Sequence, residues 1–119
     1  MQIRTVAMPS DTNPNGDIFG GWVLSQMDIA GGIAAASRAN GRVATVGIEA
    51  MTFIKPVGMG DILCCYCEIE KLGRTSITVG IEAWKIRWHQ QRQERVLVTE
   101  GRFTYVAIDD HGKKRPVDG

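Results

Sequence analysis

One carboxylate in this sequence is isolated from all other charged residues. Between Asp17 and Arg38 the only charged side chain is that of Asp28, and most residues around it are Ala, Gly, Ile and other apolar types. An ionised carboxylate in apolar surroundings is costly unless it is hydrogen-bonded, paired or shifted in pKa. Asp28 is therefore a candidate functional group, such as a base or a nucleophile. A purely structural role, in which Asp28 accepts hydrogen bonds from a neighbouring loop, is equally open at this point.

The residues around Asp28 form a loop followed by a helix. Turn-forming residues cluster at Asn13-Pro14, Asn15–Asp17 and Gly20-Gly21, which marks a loop with special backbone angles. From about Trp22 the chain is apolar nearly all round, which predicts a buried helix that ends near Asn40-Gly41. The turn cluster and Asp28 therefore belong to one segment, and the other elements must be arranged around it.

The composition argues against several classes of function. With 119 residues, 44% hydrophobic and 23% charged, the chain is typical of one soluble globular domain. The net charge of +1 and the lack of a basic stripe argue against a nucleic acid or an anionic membrane as a partner. Residues 18–37 contain several glycines and serines besides Asp28, so we do not expect them to span a membrane. Residues 1–10 do not resemble a signal peptide, and we expect a cytoplasmic location.

Three neighbouring cysteines raise the question of a metal or redox site. Cys64 and Cys67 have C-x-x-C spacing, but residues three apart in a strand point to opposite faces and would not converge on one ion. No pattern places His89 or His111 near them. We therefore expect Cys64, Cys65 and Cys67 to be buried thiols, with no metal site.

Strand patterns dominate the rest of the chain. A short strand is predicted over residues 2–8, and residues 109–119 form a polar C-terminal tail. Four longer strands follow the helix: Val43–Ile54, Ile62–Leu72, Thr75–Trp88 and Arg95–Ile108. His89–Glu94 is the predicted hairpin tip, and one face of the strand before it carries Ile77, Val79, Ile81 and Ala83. No repeat or linker interrupts residues 1–119, so we expect a single domain.

These elements predict an α+β fold in which a curved antiparallel sheet wraps round the apolar helix. Successive strands that are joined by short turns pair antiparallel. A helix that is apolar on all sides must be covered on all sides, and a wrapped sheet would cover it. The sheet edge and the outer face then invite a partner chain. The candidates for burial between subunits share one strand face: Trp84, Ile86 and Trp88.

Four stretches of the sequence resemble the hotdog-fold acyl-CoA thioesterases of the YciA type. The longest is AMPSDTNPNGDIFGGWVLSQMD at Ala7–Asp28. The others are MTFIKPVGMGD at Met51–Asp61, GRTS at Gly73–Ser76 and FTYVAIDDHGKKRPV at Phe103–Val117. The resemblance implies the hotdog fold, in which a curved antiparallel sheet wraps a long central helix. It also implies hydrolysis of acyl-CoA to a carboxylic acid and coenzyme A, with no metal or redox cofactor.

The resemblance implies roles for particular residues. Asp28 matches the acid of the central helix that acts as base or nucleophile. Gly20 and Gly21 match the helix start whose backbone N–H groups polarise the thioester oxygen, and the first N–H groups of a helix are indeed free to do so. Many hotdog thioesterases have His before these glycines, whereas this chain has Phe19, as the YciA type does. The presence of Phe19 instead of His weakens only a catalytic role for the side chain at this position.

The spacing of these residues implies a site that two chains share. Gly20 and Asp28 are eight residues apart, which is about 12 Å along a helix. One carbonyl group cannot touch both, so if both act on it they come from different subunits whose helices run antiparallel across a two-fold axis. We therefore expect at least a homodimer, and the resemblance favours a trimer of dimers.

Three further residues are weaker candidates for the chemistry. Thr45 could hold the attacking water, or it is simply a β-branched residue in a strand. Asn13 and Asp17 could orient water or the carbonyl group. A loop-shaping role explains both residues more simply, because Asn and Asp stabilise turns through their own side chains.

Basic residues and one turn are candidates for binding the coenzyme A moiety. Gly73, Arg74, Thr75 and Ser76 lie in a turn between strands, and in the family this region approaches the nucleotide. Arg74 is then a phosphate partner. Lys55 and Arg42 are generic candidates for the 3′-phosphate, although lone basic residues are more often surface charges.

The sequence therefore predicts an acyl-CoA thioester hydrolase, with two alternatives. A non-catalytic acyl-CoA-binding protein would keep the pocket but have no need of the acid. A hotdog dehydratase would use a His with an acid, but His89 and His111 both lie in predicted turns outside the loop and helix. The acyl chain length, and the choice between a base and an anhydride mechanism, are left open by the sequence.

Overall fold

One long helix lies against a five-stranded antiparallel sheet in the computed structural model, which describes residues 3–6, 20–58 and 60–118. The elements are β1 Ile3–Val6, α1 Gly20–Ala39, β2 Val43–Phe53, β3 Ile62–Leu72, β4 Ser76–His89 and β5 Arg92–Ala107. The strand order in the sheet is β1-β3-β4-β5-β2. The predicted class, a long helix with an antiparallel sheet, is confirmed.

The connection between β2 and β3 corrects the expectation that successive strands pair. The neighbours β3, β4 and β5 do pair in sequence, but β2 pairs with β5, and β1 pairs with β3. The connection between β2 and β3 therefore runs from the edge strand β2 to the other half of the sheet. Val57 anchors this crossing in the core, and the Lys85 ammonium donates to the carbonyl of Pro56 at 2.7 Å.

The hairpin between β4 and β5 is tighter than the sequence predicted. Only Gln90 and Gln91 lie between the strands, with φ angles of 49° and 64°. Two consecutive residues with left-handed φ angles form a turn whose twist matches that of the two strands in a two-residue hairpin. Asn-Gly or Asp-Gly would have signalled this turn, whereas Gln-Gln does not, so the predicted tip at His89–Glu94 was too wide.

The antiparallel sheet curves round α1, as predicted, and leaves one face of the helix uncovered within one chain. The buried residues of α1 form one stripe: Val23, Met27, Ala30, Gly31, Ala35 and Ala39. Ile29 and Ile33 lie on another face and keep 50% and 51% of their surface exposed. Because a single sheet touches only the face that lies on it, the outer apolar face of the helix stays open in one chain.

Strand β4 shows which of its two faces meets the helix. The predicted set of Ile77, Val79, Ile81 and Ala83 is buried in the core, as expected for alternate residues of one face. On the other face, Ile86 is already 2% exposed within the single chain, so its predicted place at a subunit contact was wrong. Trp84 is half-buried and donates to Glu82 at 3.2 Å, and the side chain of Trp88 lies outside the described residues.

The helix ends where the sequence predicted it to end. Asn40 has a left-handed φ of 53°, and its N–H donates to the carbonyl of Ser37 at 3.4 Å. The N–H of Gly41 donates to the carbonyl of Ala36 at 3.1 Å. These two bonds form a Schellman motif, which closes the helix and reverses the chain into β2.

The segment after β5 is polar in composition but packs back on the domain. Val117 is buried in the core, and its N–H donates to the carbonyl of Arg74 at 2.8 Å. The guanidinium of Arg115 donates to the carbonyls of Ala39 at 2.9 Å and Ile108 at 3.2 Å. The segment thus ties the end of α1 to the turn between β3 and β4. Within the described part of the chain, no helix is both long and apolar enough to cross a bilayer.

Candidate active site

Asp28 lies on α1 within hydrogen-bond reach of two hydroxyl groups from the sheet. Thr45 on β2 donates from Oγ1 to Asp28 Oδ1 at 2.7 Å. The hydroxyl of Tyr105 on β5 lies 3.1 Å from the same Oδ1 and 2.9 Å from the main-chain oxygen of Asp28. Among the described residues, no donor reaches the second carboxylate oxygen, Oδ2. Both described donors to the half-buried carboxylate therefore reach the same oxygen.

The register of the sheet explains why both hydroxyls meet at Asp28. Thr45 and Tyr105 are direct partners in the pairing of β2 with β5, and directly opposed residues place their side chains on the same face. The pairing then skips Val46, because Gly47 pairs with Thr104. This bulge changes the alternation of β2, so that residue 48 rather than residue 47 shares the face of Thr45.

A glycine on α1 makes room for the tyrosine. Gly31 follows Asp28 by three residues and lies on the same side of the helix. A Cβ at this position would lie 2.5 Å from Ile81 Cδ1 and 3.0 Å from Tyr105 Cζ, and it would collide with the Tyr105 hydroxyl. The Tyr105 ring, whose centroid is 6.5 Å from that of Phe103, reaches the helix backbone only because residue 31 has no side chain.

Tyr105 acts in this cluster as a hydrogen-bond donor. Burial raises the pKa of Tyr105 above its ordinary value, and the charge and hydrogen bond of Asp28 raise the pKa further. The hydroxyl therefore stays protonated and can donate to the Asp28 carboxylate. A carboxylate held in place by donors can serve as a general base or as a carboxylate nucleophile.

The start of α1 offers a second set of groups. Gly20 and Gly21 are both exposed, and a Cβ at Gly21 would meet no atom of the described residues within 4 Å. Packing among the described residues therefore does not require glycine at residue 21. The first backbone N–H groups of a helix have no partner within the helix, so they can donate to a ligand. In one chain it lies eight residues from Asp28, about 12 Å along the helix axis.

Comparison with known proteins decides the family. The family model described as the thioesterase superfamily matches residues 15–87 of the chain. The acyl-CoA thioester hydrolase YciA of Salmonella typhimurium is 53% identical over 116 residues, which cover 97% of this chain and 87% of that relative. The chain belongs to the thioesterase superfamily.

Solved structures of other thioesterases agree with this family. The crystal structure of a mutant of a hexameric broad-specificity acyl-coenzyme A thioesterase matches with a TM-score of 0.94 at 50% identity, covering 98% of this chain and 84% of that one. A hexameric hotdog-fold thioesterase of Campylobacter jejuni matches with a TM-score of 0.93 at 45% identity, covering 97% and 87%. The resemblance to hotdog thioesterases of the YciA type is confirmed, and this thioesterase has the hotdog fold.

The predicted coenzyme A residues of this thioesterase fall at two ends of the molecule. Arg42 and the Gly73–Ser76 turn lie together, because the N–H of Ala107 donates to Thr75 and the N–H of Ile108 donates to Arg42. Lys55 follows the opposite end of β2, which is 11 residues long. At about 3.3 Å per residue, Arg42 and Lys55 are separated by roughly 35 Å. The structure therefore separates Lys55 from the other candidates within one chain.

Sequence reasoning named Asp28 and Thr45 as candidates, and the structure places their side chains in contact, but it did not name Tyr105. Tyr105 alternates with Phe103 on one face of its predicted strand. That pattern is typical of any buried aromatic residue, so it did not mark Tyr105 as a site residue. Asn13 and Asp17 lie outside the described residues. His111 is exposed in the turn after β5.

The cysteines of the thioesterase behave as the sequence predicted. Cys64 and Cys65 are buried and Cys67 is half-buried, and none is joined in a disulfide. Burial raises the pKa of Cys65 to about 12 and that of Cys67 to about 11, so both are thiols rather than thiolates near neutral pH. Over the described residues, no group of three or more His, Cys, Asp or Glu side chains is arranged to hold a metal ion.

Proposed function

We propose that this thioesterase hydrolyses acyl-CoA to a free carboxylic acid and coenzyme A, with Asp28 as the reacting carboxylate. The observation that carries this proposal is the arrangement of Asp28, whose Oδ1 accepts from Thr45 and Tyr105 while no described residue donates to Oδ2. The relatives named above as acyl-CoA thioester hydrolases support the choice of substrate. No metal or redox cofactor is part of the proposal, and we place the reaction in the cytoplasm.

Two chemical routes are compatible with a carboxylate held in this way. As a general base, Asp28 takes a proton from water, the water oxygen bonds to the thioester carbon, and the C–S bond breaks to release the coenzyme A thiolate, which is then protonated. As a nucleophile, Oδ2 itself bonds to the carbon and expels the thiolate, and water then hydrolyses the mixed anhydride. Oxygen-18 from labelled water enters Asp28 in a single turnover only by the second route.

We propose that each site is shared between two subunits. The helix start would supply N–H groups that polarise the thioester oxygen, but it lies too far from Asp28 of the same chain to touch the same carbonyl group. The exposed Ile29 and Ile33 give α1 an apolar face for a partner helix, and β2 is an edge strand. Hexameric relatives support a trimer of such dimers.

We assign the binding of the coenzyme A nucleotide to the end of the domain at the Gly73–Ser76 turn. Arg74 and Arg42 are both exposed there, and either guanidinium can bind a phosphate group through two parallel hydrogen bonds. The main chain of Arg74 is held by Val117, which fixes the turn in place. Lys55 is assigned to this subsite only if a second subunit brings it there.

The test of the proposed function is coenzyme A release from acyl-CoA substrates of several chain lengths by the wild-type enzyme and by Asp28→Asn. We expect the variant to fold and its kcat to fall by at least about 100-fold, the general scale for loss of a positioned base. Asp110→Asn, at an exposed carboxylate in the turn after β5, is the matched control and should keep its activity. Near-normal turnover by Asp28→Asn would remove the assignment, and binding without turnover by the wild type would favour a non-catalytic acyl-CoA-binding protein.

A further inference from the structure

Tyr105 contributes a buried hydroxyl to the Asp28 cluster. Its side chain is on the inner face of the sheet and the residue is only 1% exposed. The hydroxyl has one proton, which it shares between the main-chain oxygen of Asp28 at 2.9 Å and Oδ1 of the same residue at 3.1 Å. The tyrosine therefore links the carboxylate to the backbone of its own residue, which restricts rotation of the Asp28 side chain.

The groups packed around the pair of Asp28 and Tyr105 come from every neighbouring strand. Among the described residues, β2 supplies Thr45, β3 supplies Cys67 and β4 supplies Ile81. Burial raises the pKa of both Tyr105 and Cys67, which keeps these two groups neutral near neutral pH. Thr45 and Tyr105 therefore reach Asp28 as uncharged hydrogen-bond donors.

We propose that Tyr105 is a positioning residue for the hydrolysis, which rests on the function proposed above. Through its bond to Oδ1, Tyr105 holds the Asp28 carboxylate in one orientation and presents Oδ2 as the reacting oxygen. Tyr105 does not touch the substrate itself, and its effect on the reaction passes through Asp28.

The test is the separate measurement of kcat and KM for Tyr105→Phe, which removes the hydroxyl and keeps the ring. We expect kcat to fall by about tenfold through loss of orientation, with little change in KM. An unchanged kcat in Tyr105→Phe would overturn the proposal. Following the ultraviolet absorbance of the thioester keeps the assay independent of thiol reagents.

Phe103→Leu is the matched control for a merely structural role. Phe103 stacks on Tyr105 in the same strand face and is fully buried, but it has no polar atom near Asp28. We expect this variant to be less stable in urea while its kcat stays near the wild-type kcat. An equal fall in the kcat of Phe103→Leu would show that general loosening of the core lowers the rate, and it would overturn the proposal.

Two results separate failure of this inference from failure of the proposed function. If Asp28→Asn is inactive while Tyr105→Phe keeps the wild-type kcat, then Asp28 is the reacting group and Tyr105 is not its positioning residue. If Asp28→Asn turns over normally, the proposed role of Asp28 fails, and the role of Tyr105 fails with it. A lowered kcat with little change in KM in Tyr105→Phe, but not in Phe103→Leu, would support the inference.

Discussion

Gly31 is the position at which the packing of the site is tested most sharply. A methyl group there would lie 3.0 Å from Tyr105 Cζ and 2.5 Å from Ile81 Cδ1. Neither neighbour can move away easily, because both are buried and the Tyr105 hydroxyl is bonded to Asp28. The next residue, Gly32, offers a matched control, since a Cβ there would lie 3.8 Å from Tyr105 Cε1, an ordinary contact.

Gly31→Ala and Gly32→Ala differ in whether the new methyl group clashes with its neighbours. Replacing glycine by alanine inside a helix stabilises the helix by about 1 kcal/mol at either position. Overpacking a core costs typically about 1–3 kcal/mol, and only Gly31→Ala incurs that cost. We therefore expect Gly31→Ala to be less stable than Gly32→Ala by about 1–3 kcal/mol. Its activity should also fall, because the tyrosine must move off Asp28, whereas Gly32→Ala should keep its kcat.

Urea unfolding of the two variants at one protein concentration gives the comparison. A fixed concentration is needed because association of subunits contributes to the apparent stability. Thioester hydrolysis at a pH on the activity plateau gives kcat for the same samples. If Gly31→Ala is as stable and as active as Gly32→Ala, then Tyr105 does not depend on the missing side chain of residue 31, and the packing argument for the site is wrong.

Two further predictions concern the ends of the helix. Arg115→Met removes hydrogen bonds to the carbonyls of Ala39 and Ile108, so it should lower the free energy of unfolding in urea by about 2–3 kcal/mol. A loss of stability no larger than that of the exposed Lys114→Met would contradict the capping role. Mixing an Asp28→Asn chain with a Gly20→Val chain should restore part of the hydrolysis that each lacks alone. Failure of this mixture to regain activity would count against sites shared between subunits.

Local features of the fold could be predicted because they depend on residues that are close in the chain. The Asn40-Gly41 pair predicted the end of α1, and the left-handed φ at Asn40 is the physical reason. The bounds Ile62–Leu72 of β3 are as predicted. The turn of Gln90 and Gln91 was missed because its left-handed angles are imposed by the two strands that it joins, and glutamine does not signal them.

The covering of the helix could not be predicted from its composition. An apolar residue on any helix face predicts burial, but it does not say whether the same chain or another chain provides the cover. Ile29 and Ile33 look like core residues in the sequence, yet the sheet of their own chain leaves them half exposed. The distances between the predicted coenzyme A residues could not be predicted for a similar reason. Arg42 and Lys55 are close in sequence, but they lie at opposite ends of an extended strand.

The sequence by itself determined that Asp28 is the isolated acid of a buried helix that follows a glycine-rich start, because charge, periodicity and turn chemistry are local properties. Only the tertiary structure decided which groups surround that acid. Thr45 and Tyr105 meet at Asp28 because β2 pairs with β5 in one particular register, with a bulge at Val46. Register depends on the alignment of whole strands that are distant in the chain, so no local pattern could have placed the Tyr105 hydroxyl on the carboxylate.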